Sequence, residues 1–322
     1  MSSTNHRMIC TADVYTSRTR AAKRGARPAG PARRRAALVR TVALGLALAG
    51  AAGARGEELI RVRVSESPER IEELRLEDYV AGVVSGEMPA SFPAEALKAQ
   101  AVAARSYALT RKIEAQAANR RWDIATGVLA QVYRQGASGP ARAATAATAG
   151  EVMVAGVEPL EAYFHASCGG TTEAGLAALG RGHPYLPSVE CGRCARAPGA
   201  RWSVRIDARA LASAARLRGA ATDARVTSRT PSGRAERIEI SAGPRRATVA
   251  ATDLRQRLGY GRLPSLAFAV RAERGAFVFE GRGHGHGAGL CQWGAAGLAR
   301  EGRGYREILG HYYPGADVVR MY

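Results

Sequence analysis

Glu87 stands between Gly86 and the dipeptide Met88-Pro89. A carboxyl in apolar surroundings keeps its proton to higher pH than one in water. A neutral acid near pH 7 can protonate a glycosidic oxygen, so Glu87 is a candidate general acid and base. Seen by itself, a Glu beside Gly and Pro more commonly serves as an exposed loop charge or a helix-end group.

A second group has metal-ligand spacing. His165 and Cys168 are separated by two residues, as are Cys191 and Cys194, with 22 residues between the pairs. Two soft-ligand pairs of this kind match a tetrahedral zinc site made by His165, Cys168, Cys191 and Cys194. With all four positions filled by protein, the zinc would be structural, with no open position for a catalytic water. A disulfide among Cys168, Cys191 and Cys194 is the alternative.

The third group is the run Gly281-Arg-Gly-His-Gly-His-Gly-Ala-Gly289, followed by Leu290-Cys-Gln-Trp-Gly294. Alternating glycines let backbone approach a ligand closely. On an extended segment His284 and His286 face the same side. They could bind metal, donate to a substrate, or cap turns. No Gly-Lys-Ser/Thr follows, so this is not a phosphate loop. Trp293 suits either a sugar platform or a core position. Gln131 and Tyr133 suit either glycan hydrogen bonding or the polar edge of a strand.

These residues need elements to position them. Residues 59–64 alternate apolar and basic, as a half-buried strand does. Leu76, Val80, Val83 and Val84 have helical spacing up to the break at Gly86. Pro93 opens a long helix near 93–117, with Glu95 in its first turn. Leu97, Ala101, Ala104 and Ala108 form its apolar stripe. Gln100 and Tyr107 fall on one flank, Lys98 and Arg105 on another. Strands are expected at 151–155, 160–165, 203–206, 237–241, 247–250 and 276–280. Helices are expected near 207–216, 252–258, 290–300 and 304–312, with 175–200 irregular. The sum is an α+β chain, a single large mixed domain over 55–322, with no βαβ rhythm.

The chain of 322 residues carries a formal charge of +19, of which residues 1–54 hold +9 and the remainder +10. Nearly all the positive charge is Arg, scattered and not interleaved with aromatics, so nucleic acid is not the expected partner. Anionic cell wall and anionic lipid remain suitable partners for a basic surface. Arg33, Arg34, Arg35 and Arg40 precede an uncharged run from Val42 to Ala54 that ends in Ala-Gly-Ala. This reads as an N-terminal extension and signal peptide over 1–54. The apolar run of about 13 residues falls short of the roughly 20 that span a bilayer. The expectation is export to the periplasm, cell envelope or extracellular space, with no stable transmembrane segment after cleavage.

Taken in order, several segments resemble the stage II sporulation protein D/LytB family. They are Leu76 to Pro89 (LEDYVAGVVSGEMP), Glu95 to Tyr107 (EALKAQAVAARSY), Gln131-Val-Tyr133 and Tyr163 to Glu173 (YFHASCGGTTE). They continue with Pro184-Tyr-Leu186, Gly285 to Ala295 (GHGAGLCQWGA), Tyr305 to Leu309 and Tyr312 to Gly315. The family includes lytic transglycosylases that cleave the MurNAc–GlcNAc linkage of glycan strands stripped of peptide. It also includes proteins described as enhancers of an N-acetylmuramoyl-L-alanine amidase. The resemblance implies that Glu87 is the catalytic acid. One acid/base is enough for such an enzyme, because the C6 hydroxyl replaces water as nucleophile. Members with His and Cys near the Cys-Gly-Gly motif look like zinc binders. Arg105, Tyr107, Gln131, Tyr133, His286 and Gln292 are the expected glycan contacts. The partners implied are peptidoglycan glycan strands and a cell-wall amidase. Cys291 stands where Ser is common and is read as a lone thiol; His284 stands where an aromatic is common.

Overall fold

The computed structural model describes residues 57–127 and 130–322. The expected extension and signal peptide, and so the boundary at 54, lie outside the described residues.

The chain is α+β. It opens with an antiparallel hairpin, β1 (Leu59–Glu66) and β2 (Glu69–Arg75), and leads directly into α1 (Leu76–Glu87). The long helix α2 (Ala94–Ala117) follows, then β3 (Ile124–Ala125), α3 (Gly139–Ala147), β4 (Glu151–Ala155), β5 (Glu158–Pro159), β6 (Phe164–His165) and α4 (Gly175–Leu179). A second group runs β7 (Arg201–Asp207), α5 (Ala208–Ala214), β8 (Asp223–Arg229), β9 (Ala235–Ala242), β10 (Arg245–Ala250), α6 (Ala251–Leu258), β11 (Phe268–Glu273) and β12 (Ala276–Arg282). The chain ends in β13 (Leu290–Cys291), α7 (Gln292–Arg300), α8 (Tyr305–Tyr312) and β14 (Asp317–Arg320).

The sheets are small: β2-β1-β3, β14-β4-β5, β10-β9-β8, β11-β12-β7 and the parallel pair β13-β6. Parallel pairing of Leu290 with Phe164 and Cys291 with His165 ties the end of the chain to its middle. No helix among the described residues is long and apolar enough to cross a membrane.

Buried apolar residues fall into two clusters. The first spans Ile60 to Cys194 and resumes at Leu290 through Tyr313. The second lies wholly within Ile206 to Phe279. The second core is therefore an insertion between two halves of the first.

The helix α2 shows why the first core forms. It is packed by α1, α3, α7, α8 and β4. Residues Ala99 through Leu109 are buried without interruption. An alanine-rich helix permits this close approach from all sides, so its polar flanks are buried with the stripe. Arg105 is fully buried and ion-paired with Glu77 of α1 at 2.6 Å. It also donates to the carbonyls of Glu151 and Thr145 at 2.9 and 3.3 Å. Burial would raise the Glu77 carboxyl, but hydrogen bonds and charge from Arg105, with Tyr322 and Gly150, bring it below its ordinary value.

Candidate active site

Glu87 is the last residue of α1, and Met88 leaves the helix in an extended conformation. Gly86 does not break the helix as its type suggests. A Cβ at Gly86 would lie 2.3 Å from the Val132 carbonyl oxygen, and one at Gly82 would meet the Tyr133 ring at 2.3 Å. These two glycines, one turn apart, let the strand-like segment 131–134 lie directly on the helix. The Arg134 N–H donates to the Gly82 carbonyl there at 3.1 Å.

That approach delivers a donor to the acid. The Val132 N–H donates to Glu87 Oε1 at 2.8 Å. The Gln292 amide, at the first residue of α7, donates to Oε2 at 3.1 Å. Glu87 is 1% exposed. Burial pushes its carboxyl up to about 8, against the hydrogen bonds from Val132 and Gln292, which favour the charged form. The negative end of the helix dipole also disfavours charge there. Burial thus favours the protonated form of Glu87 near neutral pH.

The amides around it are incompletely satisfied. Gln292 is buried, and its Oε1 has no hydrogen-bond partner; neither has Gln100 Nε2. The two side chains face each other at 3.5 Å. Unpaired donors and acceptors of this kind are uncommon in protein interiors. Gln100 lies on α2, where the helical spacing marks it only as a flank residue.

Of the six expected glycan contacts, Arg105, Tyr107, Gln131, His286 and Gln292 are buried. Arg105 is sealed among Glu77, Glu151 and Thr145, as above. Gln131 is buried, accepting from Tyr79 Oη at 2.9 Å and donating to the Ala104 carbonyl at 3.2 Å. Tyr107 is buried, its ring edge-on to Tyr163 at 5.5 Å with Arg111 over its face at 4.9 Å. In this structure the polar groups of Arg105 and Gln131 hold the elements together, and the Tyr107 ring packs between Tyr163 and Arg111. Gln131 anchors the segment that presents the Val132 N–H. Tyr133 is half-buried and stacks on Tyr79 at 5.4 Å. His286 is buried, with Nε2 2.9 Å from the Phe164 carbonyl and Nδ1 accepting from the Ala288 N–H at 3.1 Å. It shapes the glycine loop, in which Gly283, Gly285, Gly287 and Gly289 all have positive φ. Trp293 is half-buried and edge-on to Phe92 at 4.9 Å.

The metal reading needs one substitution. Cys168, Cys191, Cys194 and Cys291 are buried free thiols whose sulfurs lie within 4.8 Å of one another. His165 stands beside this cluster, its Nδ1 3.1 Å from the Ala288 carbonyl and its ring 5.5 Å from His286. His165 lies outside this group of four sulfurs, and Cys291 stands within it beside three other thiols. The donor set fits zinc, since a tetrahedron with bonds of about 2.3 Å spaces its sulfurs about 3.8 Å apart. The surroundings fit as well. Backbone N–H groups of Cys168 and Gly170 point at Cys291 and Cys168 sulfurs at 3.3 and 3.4 Å, and Tyr312 Oη lies 3.2 Å from Cys191. Such donors support thiolate ligands. The buried Arg234, from the second core, donates to the Cys168 carbonyl at 2.7 Å and adds positive charge nearby. Among the sulfurs, neighbouring thiols push Cys194 down, whereas burial pushes Cys291 up.

Known proteins match this chain over most of its length. Residues 65–154 match the family described as Stage II sporulation protein, and residues 200–289 match a domain of unknown function. An uncharacterized protein of Brachyspira hyodysenteriae is 34% identical over 261 residues, 77% of this chain and 68% of that one. Stage II sporulation protein D of Bacillus amyloliquefaciens is 31% identical over 266 residues, 77% of this chain and 75% of that one. An amidase enhancer of Bacillus subtilis is 26% identical over 290 residues, covering 74% of this chain and 40% of that protein.

Proposed function

The chain belongs to the stage II sporulation protein D family, and from that premise we propose that it is an exported lytic transglycosylase of peptidoglycan, acting on MurNAc–GlcNAc linkages in peptide-free glycan strands. The observation that carries this reading is the buried Glu87 carboxyl, hydrogen-bonded by Val132 and Gln292, whose burial favours its protonated form. In the first step the acid gives its proton to the glycosidic oxygen as the bond to C1 of the muramic acid breaks. The resulting carboxylate keeps the Val132 and Gln292 hydrogen bonds, which stabilise its charge. In the second step it takes the proton of the C6 hydroxyl as that oxygen bonds to C1, closing a 1,6-anhydro ring. The proton cycles and no water is consumed, so no second carboxylate is needed.

Because Glu87 is 1% exposed, a sugar oxygen reaches it only after a covering group moves. Val132, which donates one hydrogen bond to the acid, and Trp293, next in sequence to the donor of the other, are half-exposed, and displacement of side chains around the acid belongs to the proposed cycle. Gln292 Oε1 and Gln100 Nε2 then supply an acceptor and a donor for sugar hydroxyl or acetamido groups.

Zinc held by Cys168, Cys191, Cys194 and Cys291 would crosslink three distant stretches of chain and contribute folding energy. The four sulfurs leave it no chemical part in glycan cleavage. Mass spectrometry of the products of purified peptide-free glycan tests the reading: chains lighter by one water than hydrolysis products support it, whereas hydrated reducing ends refute it.

A second reading is a cell-wall protein that stimulates an amidase. The resemblance to an amidase enhancer and the covered position of Glu87 favour it. On that reading wild type and Glu87→Gln stimulate a cell-wall amidase equally, and neither releases anhydro ends.

A further inference from the structure

The inserted second core carries a cavity of about 630 Å³ that the chemistry at Glu87 does not use. It is lined by Trp202, Phe268 and Gly281 and by three arginines, Arg201, Arg229 and Arg282. Its volume falls within the range of small-molecule sites.

Two features of this cavity are unusual for a plain surface. The first is the platform. Trp202 pairs with Gly281 across the β7–β12 ladder, and a Cβ at Gly281 would lie 2.2 Å from the indole. The glycine lets the ring lie flat across the neighbouring strand. Trp202 Nε1 is fixed to the Gly283 carbonyl at 2.9 Å, so a half-exposed indole is held rigidly at the cavity wall. Rigid aromatic faces of this kind stack on sugar rings.

The second is the charge. Arg201 and Arg282 are direct cross-strand partners, an arrangement of like charges that disfavours a sheet. Both are exposed, and among the described residues no carboxylate lies within ion-pair distance of either. Among the described residues Arg229 bonds only to the carbonyls of Gly233 and Phe268, at 2.9 and 3.1 Å. The acid in the lining, Glu280, is 3.5 Å from Arg271. The cavity thus joins a flat apolar face to three guanidinium groups lacking a counter-ion, and guanidinium groups bind carboxylates with paired hydrogen bonds.

We propose that this cavity is a second saccharide-binding site, which takes a sugar ring bearing a carboxylate. The choice of ligand rests on the glycan reading above. Removal of the peptide stem frees the lactyl carboxylate of each muramic acid, and that group on a pyranose ring offers both the charge and the flat face that the cavity accepts. The site would hold a peptide-free strand by a muramic acid residue other than the one being cleaved.

The test is equilibrium binding by calorimetry with the full chain carrying Glu87→Gln, so that the ligand stays intact. The probes are peptide-free glycan and the same glycan with its lactyl carboxyls reduced to alcohols. The acidic strand should bind about tenfold more tightly than the reduced one. Adding Arg201→Ala and Arg282→Ala should abolish that difference. Adding Arg209→Ala and Arg245→Ala, which lie outside the lining, should preserve it. All four arginines are exposed, so the fold should survive, as a melting curve will verify. Equal binding of the two glycans, or a preference that survives Arg201→Ala/Arg282→Ala, would overturn the site. So would a single-stranded oligonucleotide that competes as well as the acidic glycan. Cleavage by the wild type is read separately, so failure at Glu87 is distinguishable from failure here.

Discussion

The N–H of Val132 points at the carboxyl of Glu87 across 2.8 Å and 45 positions of sequence. One carboxyl oxygen is thereby held by backbone and the other by the Gln292 side chain. The acid's position depends on how closely the 131–134 segment can lie on α1.

Gly86→Ala tests that dependence. Alanine is ordinarily favoured over glycine within a helix by about 1 kcal/mol. Here its Cβ would lie 2.3 Å from the Val132 carbonyl oxygen, which is backbone and cannot swing away. The expected result is a fall in kcat of about a hundredfold, as for an ångström of misplacement. Steady-state cleavage of peptide-free glycan, with a melting curve to verify folding, measures it.

The raised acid gives a pH signature. Only the protonated form donates, so activity should fall as pH rises through about 8. Gln292→Leu removes a hydrogen bond that favours the carboxylate and should move this limb to higher pH. A pH–rate profile of wild type and variant checks both the position and the direction.

Stability carries the same signature with a definite sign. The native state keeps the Glu87 proton up to about 8, whereas the unfolded chain releases it near the ordinary value of 4.5. Stability should therefore fall between those two values and level off above them. Glu87→Gln removes this loss and should stabilise the protein at pH 8 by about 3–5 kcal/mol. Denaturant unfolding at pH 5 and pH 8 decides: no difference between wild type and variant at pH 8 contradicts the buried-acid account.

The four-cysteine centre predicts a ligand set. Cys291→Ser should lose bound zinc and lower Tm by about 10 °C, whereas His165→Ala should keep zinc at full stoichiometry. Metal analysis of both variants tests this. Four thiols titratable after chelation support the metal; disulfide-bonded cysteines would exclude it.

Arg105 predicts a purely structural phenotype. Arg105→Ala leaves Glu77 without its ion-pair partner and the carbonyls of Glu151 and Thr145 without a donor. Loss of such a buried pair costs about 3 kcal/mol. The expected outcome is a lower Tm with an unchanged KM below the transition. A raised KM at full stability would restore Arg105 as a glycan contact.

Local pattern made much of this legible. The β1 alternation, the Pro93 start of α2 and the terminal helices all read from spacing, because each is set by nearby residues. The edge strand β2 did not, since Glu69–Arg75 is mostly charged and lacks alternation. The burial of α2 on every side was hidden for another reason: periodicity registers the apolar stripe, but not the number of neighbours that pack on a helix. Glu87 stands out in the sequence for its apolar neighbours and its motif. Its partners do not, because Val132 contributes a backbone N–H that every residue except proline carries. Cys291 joins the thiol cluster through the parallel pairing of β13 with β6, a contact across more than a hundred residues that no spacing rule marks.

The most direct test of the central claim sets wild type against Glu87→Gln on purified peptide-free glycan at pH 6, with anhydro ends counted in both. The amide keeps the shape of the side chain but has no proton to give. The account predicts anhydro-muramic acid ends from the wild type and none above background from a folded Glu87→Gln protein. Equal yields from the two would contradict it.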